Sequence, residues 1–398
     1  MVMRKASSFI EPDLARAERL VRHLIAIPGK SCQEGRVADF ITRLLVASGV
    51  PENAIRCDRA HQRSLHGGQI GNVICKLPGT IRGPRRMLMA HLDTVPLAVG
   101  AKPVEEGDFL RPANPATALG ADDRAGTAVV LSTVLELLRH KLPHPPLTLL
   151  WTVQEEIGLA GARHVALGML GNPRLAFNFD GRSPEDLTIG ATGGYRLEIC
   201  VRGVASHAGV APEKGVSAIA AAALAVARLH EQGWHGRIEK QGRLGTSNVG
   251  VVHGGEATNV VTPEVRLRAE ARSHDLAFRQ EIVAQIEDAF RRAAAAVKNV
   301  EGRTAEVEIE GRLDYESFRL ADDEPCVRAA EEAVRAVGGD PRRTISDGGL
   351  DANWLSARGI PTVTLGAGGI NAHTPAERLD LRMFRTACRI ALRLALGL

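Results

Sequence analysis

The chain has 398 residues, of which 44% are hydrophobic and 24% are charged. These are the values of ordinary globular proteins, and they exclude a disordered, collagen-like or coiled-coil chain. The length predicts roughly two to three domains. The net charge of +4 is too small for this length to predict a nucleic-acid partner.

In the first part of the chain, segments with helical spacing of apolar residues alternate with short apolar runs. The helical spacing predicts helices over 14–25, 37–45 and 124–140. The short apolar runs predict strands over 73–77, 87–90, 147–153 and 175–179. The same alternation resumes near 325–337 and 361–365. It is typical of an α/β fold with a largely parallel sheet between layers of helices.

The middle of the chain shows a different order of elements. Half-buried strands are predicted near 195–202, 247–253, 264–272 and 304–309, with helices over 215–231 and 276–297. The order βαββαβ is that of a ferredoxin-like domain. We therefore expect this small domain, residues 193–311, to be inserted into a discontinuous α/β/α domain formed by residues 1–192 and 312–398.

The sequence predicts a cytoplasmic protein that does not contact membranes. No two of the six cysteines have C-x-x-C spacing, and a chain of this length does not need disulfides, so reduced thiols are expected. The segment 1–12 contains no apolar stretch of the kind found in signal peptides. The longest apolar run, 218–227, is about half as long as a membrane-spanning helix.

Acidic residues and histidines follow several of the predicted strands. Because ligands bind at the carboxyl ends of strands in open α/β sheets, we expect these side chains to converge on one crevice. Asp122 and Asp123 precede the helix over 124–140, and the other members of this set lie at strand ends: His91, Asp93, Glu155, Glu156, Asp180 and His373.

Each feature also has an ordinary structural explanation. Asp122 and Asp123 would suit the N-terminus of the following helix, where acidic residues are favourable. Glu155 and Glu156 would suit a solvated loop, and Asp180 would suit a turn before a glycine. The occurrence of all of them at one edge of the sheet favours a functional site over these separate explanations.

Two zinc ions at this edge would match the charge of the candidate ligands. The carboxylates of Asp122, Glu156 and Asp180, together with one bridging hydroxide, would neutralise two divalent ions. His91 and His373 would complete the set, and a shared Asp122 would give each ion three protein ligands. Three protein ligands and an open position are typical of catalytic zinc.

Two acidic residues would then remain for other roles. Glu155, beside the ligand Glu156, would be free to act as general base. Asp93, two residues after His91, would accept the second ring N–H of that histidine and fix its tautomer.

Motifs along nearly the whole chain resemble the co-catalytic di-zinc metallopeptidases, a family that includes peptidase T, carboxypeptidase G, the ArgE/DapE deacylases and the aminoacylases. The resemblance is greatest to the peptidase T type. It rests on segments that occur in the order of that family: His91-Leu92-Asp93-Thr94-Val95-Pro96, Gly120-Ala121-Asp122-Asp123-Arg124-Ala125-Gly126, Glu155-Glu156-Ile157-Gly158-Leu159, Phe179-Asp180-Gly181, Gly348-Gly349-Leu350-Asp351-Ala352-Asn353 and Ala372-His373-Thr374.

This resemblance implies two zinc ions per chain. It implies His91, Asp122 and Asp180 as ligands of one ion, and Asp122, Glu156 and His373 as ligands of the other. It also implies a cis peptide bond after Asp122.

The resemblance implies further roles in catalysis and substrate binding. Glu155 is implied as the base and Asp93 as the orienting acid. The inserted domain matches the family's lid and dimerisation domain, where His207 reaches the scissile carbonyl oxygen. Asn259 and Arg272 of the same domain are implied as substrate contacts.

The expected function is therefore a peptidase T-like tripeptide aminopeptidase that cleaves short peptides through a metal-bridged hydroxide, with Glu155 as general base. A deacylase of N-acyl-amino acids is the alternative, because it attacks an amide with the same zinc pair. A non-catalytic metal-binding scaffold is less favoured, since it would not require Glu155. We also expect a homodimer formed through the lid domain.

Overall fold

A computed structural model describes residues 11–398 of the chain. The first ten residues lie outside the described residues. The prediction that segment 1–12 contains no signal peptide therefore falls largely on residues that the structure does not describe. The described chain forms two compact units. The first contains the residues up to Gly190 with Arg319–Ser346 and Leu350–Leu398, and the second contains Ala191–Phe318 and Asp347–Gly349. The predicted insertion, 193–311, lies within the second unit, which also includes residues 191–192, 312–318 and 347–349.

The described residues contain ten α-helices. They are α1 (Leu14–Ala26), α2 (Gly35–Ala47), α3 (Ala60–Arg63), α4 (Ala121–His140), α5 (Ala160–His164), α6 (Ala218–Glu231), α7 (Leu276–Ala296), α8 (Pro325–Ala336), α9 (Asp351–Ala357) and α10 (Leu381–Leu396). No helix among residues 11–398 combines the length and the apolar composition needed to cross a bilayer.

The described residues also contain twenty strands. They are β1 (Ile55–Cys57), β2 (Val73–Leu77), β3 (Arg86–His91), β4 (Pro103–Glu106), β5 (Phe109–Pro112), β6 (Leu147–Thr152), β7 (Leu175–Phe179), β8 (Asp186–Ala191), β9 (Gly193–Arg202), β10 (Ser206–His207), β11 (Gly236–Lys240), β12 (Arg243–Gly254), β13 (Val260–Val261), β14 (Glu264–Ser273), β15 (Glu306–Tyr315), β16 (Phe318–Arg319), β17 (Arg342–Ser346), β18 (Thr362–Leu365), β19 (Gly369–Ile370) and β20 (Arg378–Asp380).

The first unit is built around a nine-stranded mixed sheet, which confirms the α/β class. The strand order is β1-β2-β6-β3-β7-β18-β8-β16, and β17 pairs with β8. The central neighbours β6, β3, β7 and β18 are parallel. The outer strands β1, β2 and β8 pair antiparallel. The expectation of a largely parallel sheet is therefore right only for the centre, because an apolar run does not reveal the direction in which a strand will pair.

Helix α4 is the most deeply buried helix of the first unit. Its sequence from Ala125 to Leu137 is mostly apolar, and every residue of that stretch is buried, the polar ones included. It contacts α1, α10 and β3. A helix enclosed in this way has little freedom to move, so its N-terminus is a fixed point next to the carboxyl end of β3.

The second unit contains a five-stranded antiparallel sheet in the order β11-β12-β14-β9-β15. Helices α6 and α7 supply apolar side chains to its core. Along β14, buried Leu267 and Ala269 alternate with exposed Arg266 and Arg268, so the opposite face of the sheet is polar. The edge strand β11 is an addition to the predicted βαββαβ order. Its single buried residue, Ile238, is too weak an apolar pattern to predict a strand.

Candidate active site

The candidate ligands are held at the carboxyl ends of neighbouring parallel strands. His91 is the last residue of β3, and Asp180 directly follows β7, which is parallel to β3. Glu155 and Glu156 follow β6 on the other side of β3. His373 lies in the loop between β19 and β20. The predicted convergence at one sheet edge follows from this strand order.

The two adjacent aspartates at the start of α4 have different roles. Their backbone angles are not helical, and the peptide bond between them is cis, as the resemblance implied. Asp123 is buried and takes the ordinary capping role, because its Oδ1 accepts a hydrogen bond from Gly126 N at 3.0 Å while its Oδ2 accepts one from His91 N. The carboxylate of Asp122 is turned instead toward the two histidine side chains, His91 and His373.

Asp122 joins two groups of possible metal ligands. Its Oδ1 lies 3.1 Å from His91 Nε2, and its Oδ2 lies 3.3 Å from His373 Nε2. His373 Nε2 is also 2.8 Å from Glu156 Oε2. His91, Asp122 and Asp180 form one group, and Asp122, Glu156 and His373 form the other, with the ligand atoms of each group within 4.8 Å of one another. The structure thus brings together all five predicted ligand side chains.

Asp93 is fully buried and ties the turn after β6 to the end of β3. Its Oδ1 accepts a hydrogen bond from Glu155 N at 3.0 Å, and its Oδ2 accepts from Glu156 N at 3.2 Å and from Ser31 Oγ at 2.7 Å. His91 Nδ1 is 3.1 Å from the backbone oxygen of Asp93 but 3.5 Å from its carboxylate. The backbone oxygen of Asp93, and not the carboxylate predicted to accept the ring N–H, is thus the nearer partner of His91 Nδ1, while the carboxylate accepts hydrogen bonds from the N–H groups of the two glutamates.

Two acidic residues of the cluster favour their protonated forms, whereas hydrogen bonds from the two histidines overcome the effect of burial and hold the pKa of Asp122 well below its ordinary value. Burial, followed by the charge of Asp122, raises the pKa of Asp180 to about 7. Burial also raises the pKa of Glu155 well above its ordinary value, and the nearby carboxylates of Asp180, Asp351 and Glu156 add to this effect. Carboxylates this close together and this far from water cannot all be ionised without a compensating positive charge.

The histidines supply part of that charge. Hydrogen bonds to Asp122 and Glu156 raise the pKa of His373 to about 10. Burial alone would lower the pKa of His91, but its hydrogen bonds to Asp122 and Asp93 outweigh burial and raise it well above its ordinary value. Without another cation, the cluster therefore holds its protons tightly.

This arrangement fits a pair of divalent metal ions. The donors are imidazole nitrogens and carboxylate oxygens, which zinc and similar metals accept. The ion pairs of Asp122 and Glu156 in the described chain are formed with histidine alone. Metal binding requires neutral imidazole and ionised carboxylates, so bound cations would replace the protons that the cluster now holds.

The second unit carries the three remaining predicted residues. His207 and Asn259 lie close together there, because His207 in β10 pairs with Val260 in β13 and Ala208 N donates a hydrogen bond to Asn259 O at 2.9 Å. The side chain of His207 is exposed, and its Nδ1 accepts a hydrogen bond from Gly209 N.

Arg272 is held by a neighbour on its own strand. Its Nε and Nη2 each donate to a different carboxylate oxygen of Glu270 at 3.1 Å. With Thr192, Arg237 and His274, it lines a cavity of about 250 Å³ in the second unit. The guanidinium is thus fixed in orientation at the wall of a cavity.

Two residues that position the site were not identified from the sequence. Ser31 donates to Asp93 from 62 positions away, and no local pattern marks it. Glu377 accepts hydrogen bonds from the backbone of Gly120 and Asp122 at the start of α4. The sequence does show that Glu377 lies only four residues after the candidate ligand His373, and this short spacing could have marked it as a residue near the site.

Comparison with known proteins agrees with this geometry. The model of the peptidase family M20/M25/M40 matches residues 87–397 of the chain. The chain belongs to this family. It is 33% identical over 359 residues to "Uncharacterized protein YqjE" of Bacillus subtilis (strain 168), covering 90% of this chain and 91% of that protein.

Two solved structures of family members are also similar over almost their whole length. A tripeptidase from Staphylococcus aureus subsp. aureus Mu50 has a TM-score of 0.87 and 29% identity, covering 97% of this chain and 98% of that one. Aminopeptidase PepT from Bacillus cereus ATCC 10987 has a TM-score of 0.83 and 29% identity, covering 97% and 99%. As a member of the M20 peptidases, this chain is a hydrolase that acts on peptide bonds.

Proposed function

We propose that the chain is a di-zinc aminopeptidase that removes residues from short peptides, tripeptides in particular. The observation that carries the proposal is the pair of ligand groups sharing Asp122, with the raised pKa of Glu155 beside them. The similarity to a tripeptidase and to PepT supports the choice of short peptides as substrates.

The five clustered side chains would hold two zinc ions. His91, Asp122 and Asp180 would bind one ion, and Asp122, Glu156 and His373 would bind the other. When bound, such a pair polarises a carbonyl group and lowers the pKa of a water molecule.

Glu155 would move the proton during hydrolysis. Its carboxylate would take a proton from the attacking water and return it to the amine that leaves, since a general base of the first step serves as the acid of the second. Burial raises its pKa well above its ordinary value, so the side chain can hold a proton as well as release one. The hydrogen bond from Glu155 N to Asp93 fixes the turn that carries it.

The second unit would contribute substrate contacts. We propose that His207 donates a hydrogen bond to the oxygen of the reacting carbonyl, and that Asn259 beside it contacts the peptide. Arg272, which Glu270 holds in a fixed orientation, would bind a carboxylate of the substrate.

The test separates the base from a ligand. Glu155→Gln should keep two zinc ions per chain but lose about 10²–10⁴-fold in kcat, the usual loss for a general base. Glu156→Gln is the matched control at the next position, and it should weaken one zinc site. Equal loss of metal in the two variants, measured by elemental analysis after dialysis, would contradict the assignment.

The substrate is tested by varying the peptide terminus. Tripeptides with a free amino group should be cleaved, whereas their N-acetylated forms should be poor substrates. The same zinc residues serve a deacylase, so preferential release of the acetyl group would favour an N-acyl-amino-acid deacylase instead.

We further propose a homodimer formed by the second unit. Strand β11 pairs only with Arg243–Ser247, so in the described chain the edge of β12 from Asn248 to Gly254 has no partner strand on that side. In the same unit, α6 exposes Ile219 and Leu224, which are 48% and 51% accessible, and Ile219 lies close to Gly255 just after β12. Another copy would pair with this edge and cover these side chains. Sedimentation at equilibrium should give twice the chain mass.

We also retain a cytoplasmic location as a proposal. All six cysteines lie in the described part of the chain and are free thiols, as a reducing compartment requires.

A further inference from the structure

Glu377 is a buried carboxylate that caps the start of α4 from another part of the chain. It is only 1% exposed. Its Oε2 accepts a hydrogen bond from Gly120 N at 2.8 Å, and its Oε1 accepts one from Asp122 N at 3.0 Å. The residue at the N-cap of this helix, Gly120, has no side chain to do this. Glu377 therefore binds N–H groups that the helix leaves without partners.

The same residue belongs to the loop that carries His373. Glu377 N donates to Thr374 O at 3.1 Å, and Thr374 Oγ1 donates to Asn371 O at 2.8 Å. These bonds close the loop on itself over residues 371–377. Asn371 and His373 have positive φ angles of 54° and 65°, so the loop has a tightly folded backbone. A displacement of Glu377 would move His373 with it.

Glu377 thus connects two of the proposed ligands that are far apart in sequence. One is Asp122, which both ligand groups share, and the other is His373 of the second group. The Asp122 carboxylate and the His373 imidazole are 3.3 Å apart. Glu377 accepts a hydrogen bond from the backbone of Asp122 directly. It is connected to the backbone of His373 through the closed loop, in which it lies four residues further on.

We propose that Glu377 is a positioning residue that sets the spacing between Asp122 and His373 and thereby tunes the affinity of the metal site formed by Asp122, Glu156 and His373. This inference rests on the proposed metal centre. Residues that orient metal ligands typically contribute 10–100-fold to metal affinity.

The two hydrogen bonds require a carboxylate. Both oxygens of Glu377 accept from backbone N–H groups, and an amide has only one acceptor oxygen. In Glu377→Gln, the new NH₂ group would face either Gly120 N or Asp122 N. Both groups are hydrogen-bond donors, so no hydrogen bond could form between them. The substitution keeps the size of the side chain and removes one of the two bonds.

The experiment is a competition titration of the metal-free full-length chain with zinc against a chromogenic chelator, so that the readout is metal affinity and not activity. The wild type should bind two ions. Glu377→Gln should bind one of them about 10–100-fold more weakly and the other with a smaller loss. Glu377→Asp, which keeps the carboxylate but shortens its reach, should weaken the same ion less, and it carries the test if Glu377→Gln does not fold.

Asp380→Asn is the matched control. Asp380 is also buried, lies three residues further on, and accepts from Arg382 N and Met383 N at the start of α10; the hydrogen bonds and ion pair of its side chain in the described chain involve no proposed ligand. It should keep wild-type zinc affinity. Unchanged affinities in both Glu377 variants, or an equal loss in Asp380→Asn, would overturn the positioning role. A wild type that binds no zinc would overturn the proposed metal centre itself.

Discussion

Glu34, a buried acid next to the site, should make the stability of the protein depend on pH. It is completely buried at the start of α2. Its Oε1 accepts hydrogen bonds from Cys32 N at 2.9 Å and Gln154 N at 3.1 Å, whereas its Oε2 has no partner in the described chain. Burial, and then the charge of Asp93, raises the pKa of Glu34 from 4.5 to about 7.

The magnitude follows from these two pKa values. Below pH 4.5 Glu34 is protonated in both the folded and the unfolded chain, and its pKa shift has no effect on stability. Between pH 4.5 and about 7 the unfolded chain loses this proton while the folded chain keeps it, so stability falls as the pH rises. At 1.36 kcal/mol per pKa unit, the loss above pH 8 amounts to about 3 kcal/mol.

Glu34→Gln should remove this loss. The amide oxygen would keep both hydrogen bonds, and its NH₂ group would take the place of the unpartnered Oε2. Urea unfolding of the metal-free chain, followed at pH values from 4 to 8.5, should give similar stability for both proteins at pH 4. At pH 8 the variant should be more stable by up to about 3 kcal/mol.

The buried guanidinium of Arg124 is the group that could reverse this pH dependence. Arg124 is fully buried, its Nε and Nη1 have no partner in the described chain, and the charge of Glu34 acts on it. If Arg124 keeps Glu34 ionised in the folded chain, the wild type will not lose stability between pH 4.5 and 7. Glu34→Gln would then destabilise the protein at pH 8, and the reasoning from burial would be refuted.

Two further predictions concern the proposed zinc centre and the second unit. Asp122→Asn should lose both metal ions on dialysis, because both ligand groups share this residue; retention of one tightly bound ion would contradict the shared role. His207→Ala should lower kcat about 10²–10³-fold with a smaller change in KM, as expected for a hydrogen bond that forms chiefly in the transition state. A change in KM alone, measured on a tripeptide, would make His207 a substrate contact instead.

Local sequence patterns were sufficient for the central strands that carry the site, but not for β19 and β20 on either side of His373. The bounds of β2 and β7 match the apolar runs 73–77 and 175–179, because both strands are almost entirely buried and all but one residue of each is apolar. Strand β15 was predicted to end at 309 but continues to Tyr315. Its exposed glutamates break the apolar pattern, and its pairing with β9 extends it.

The division of roles between Asp122 and Asp123 was beyond any local pattern. Both residues are aspartates, and either would suit a helix N-terminus, so residue type alone does not distinguish them. The resemblance to the di-zinc metallopeptidases implied Asp122 as the ligand, and the fold shows the physical difference: Asp123 bonds to the helix and to His91 N, while Asp122 faces His91 and His373.

By itself, the sequence determined which side chains are available at the strand ends, since the alternation of apolar runs and polar ends is local. The tertiary structure decided how these side chains are held. Ser31 reaches Asp93, and Glu377 reaches Asp122 from 255 positions away. Such contacts depend on the order of strands in the sheet and on where each loop returns, and neither is encoded in the spacing of neighbouring residues.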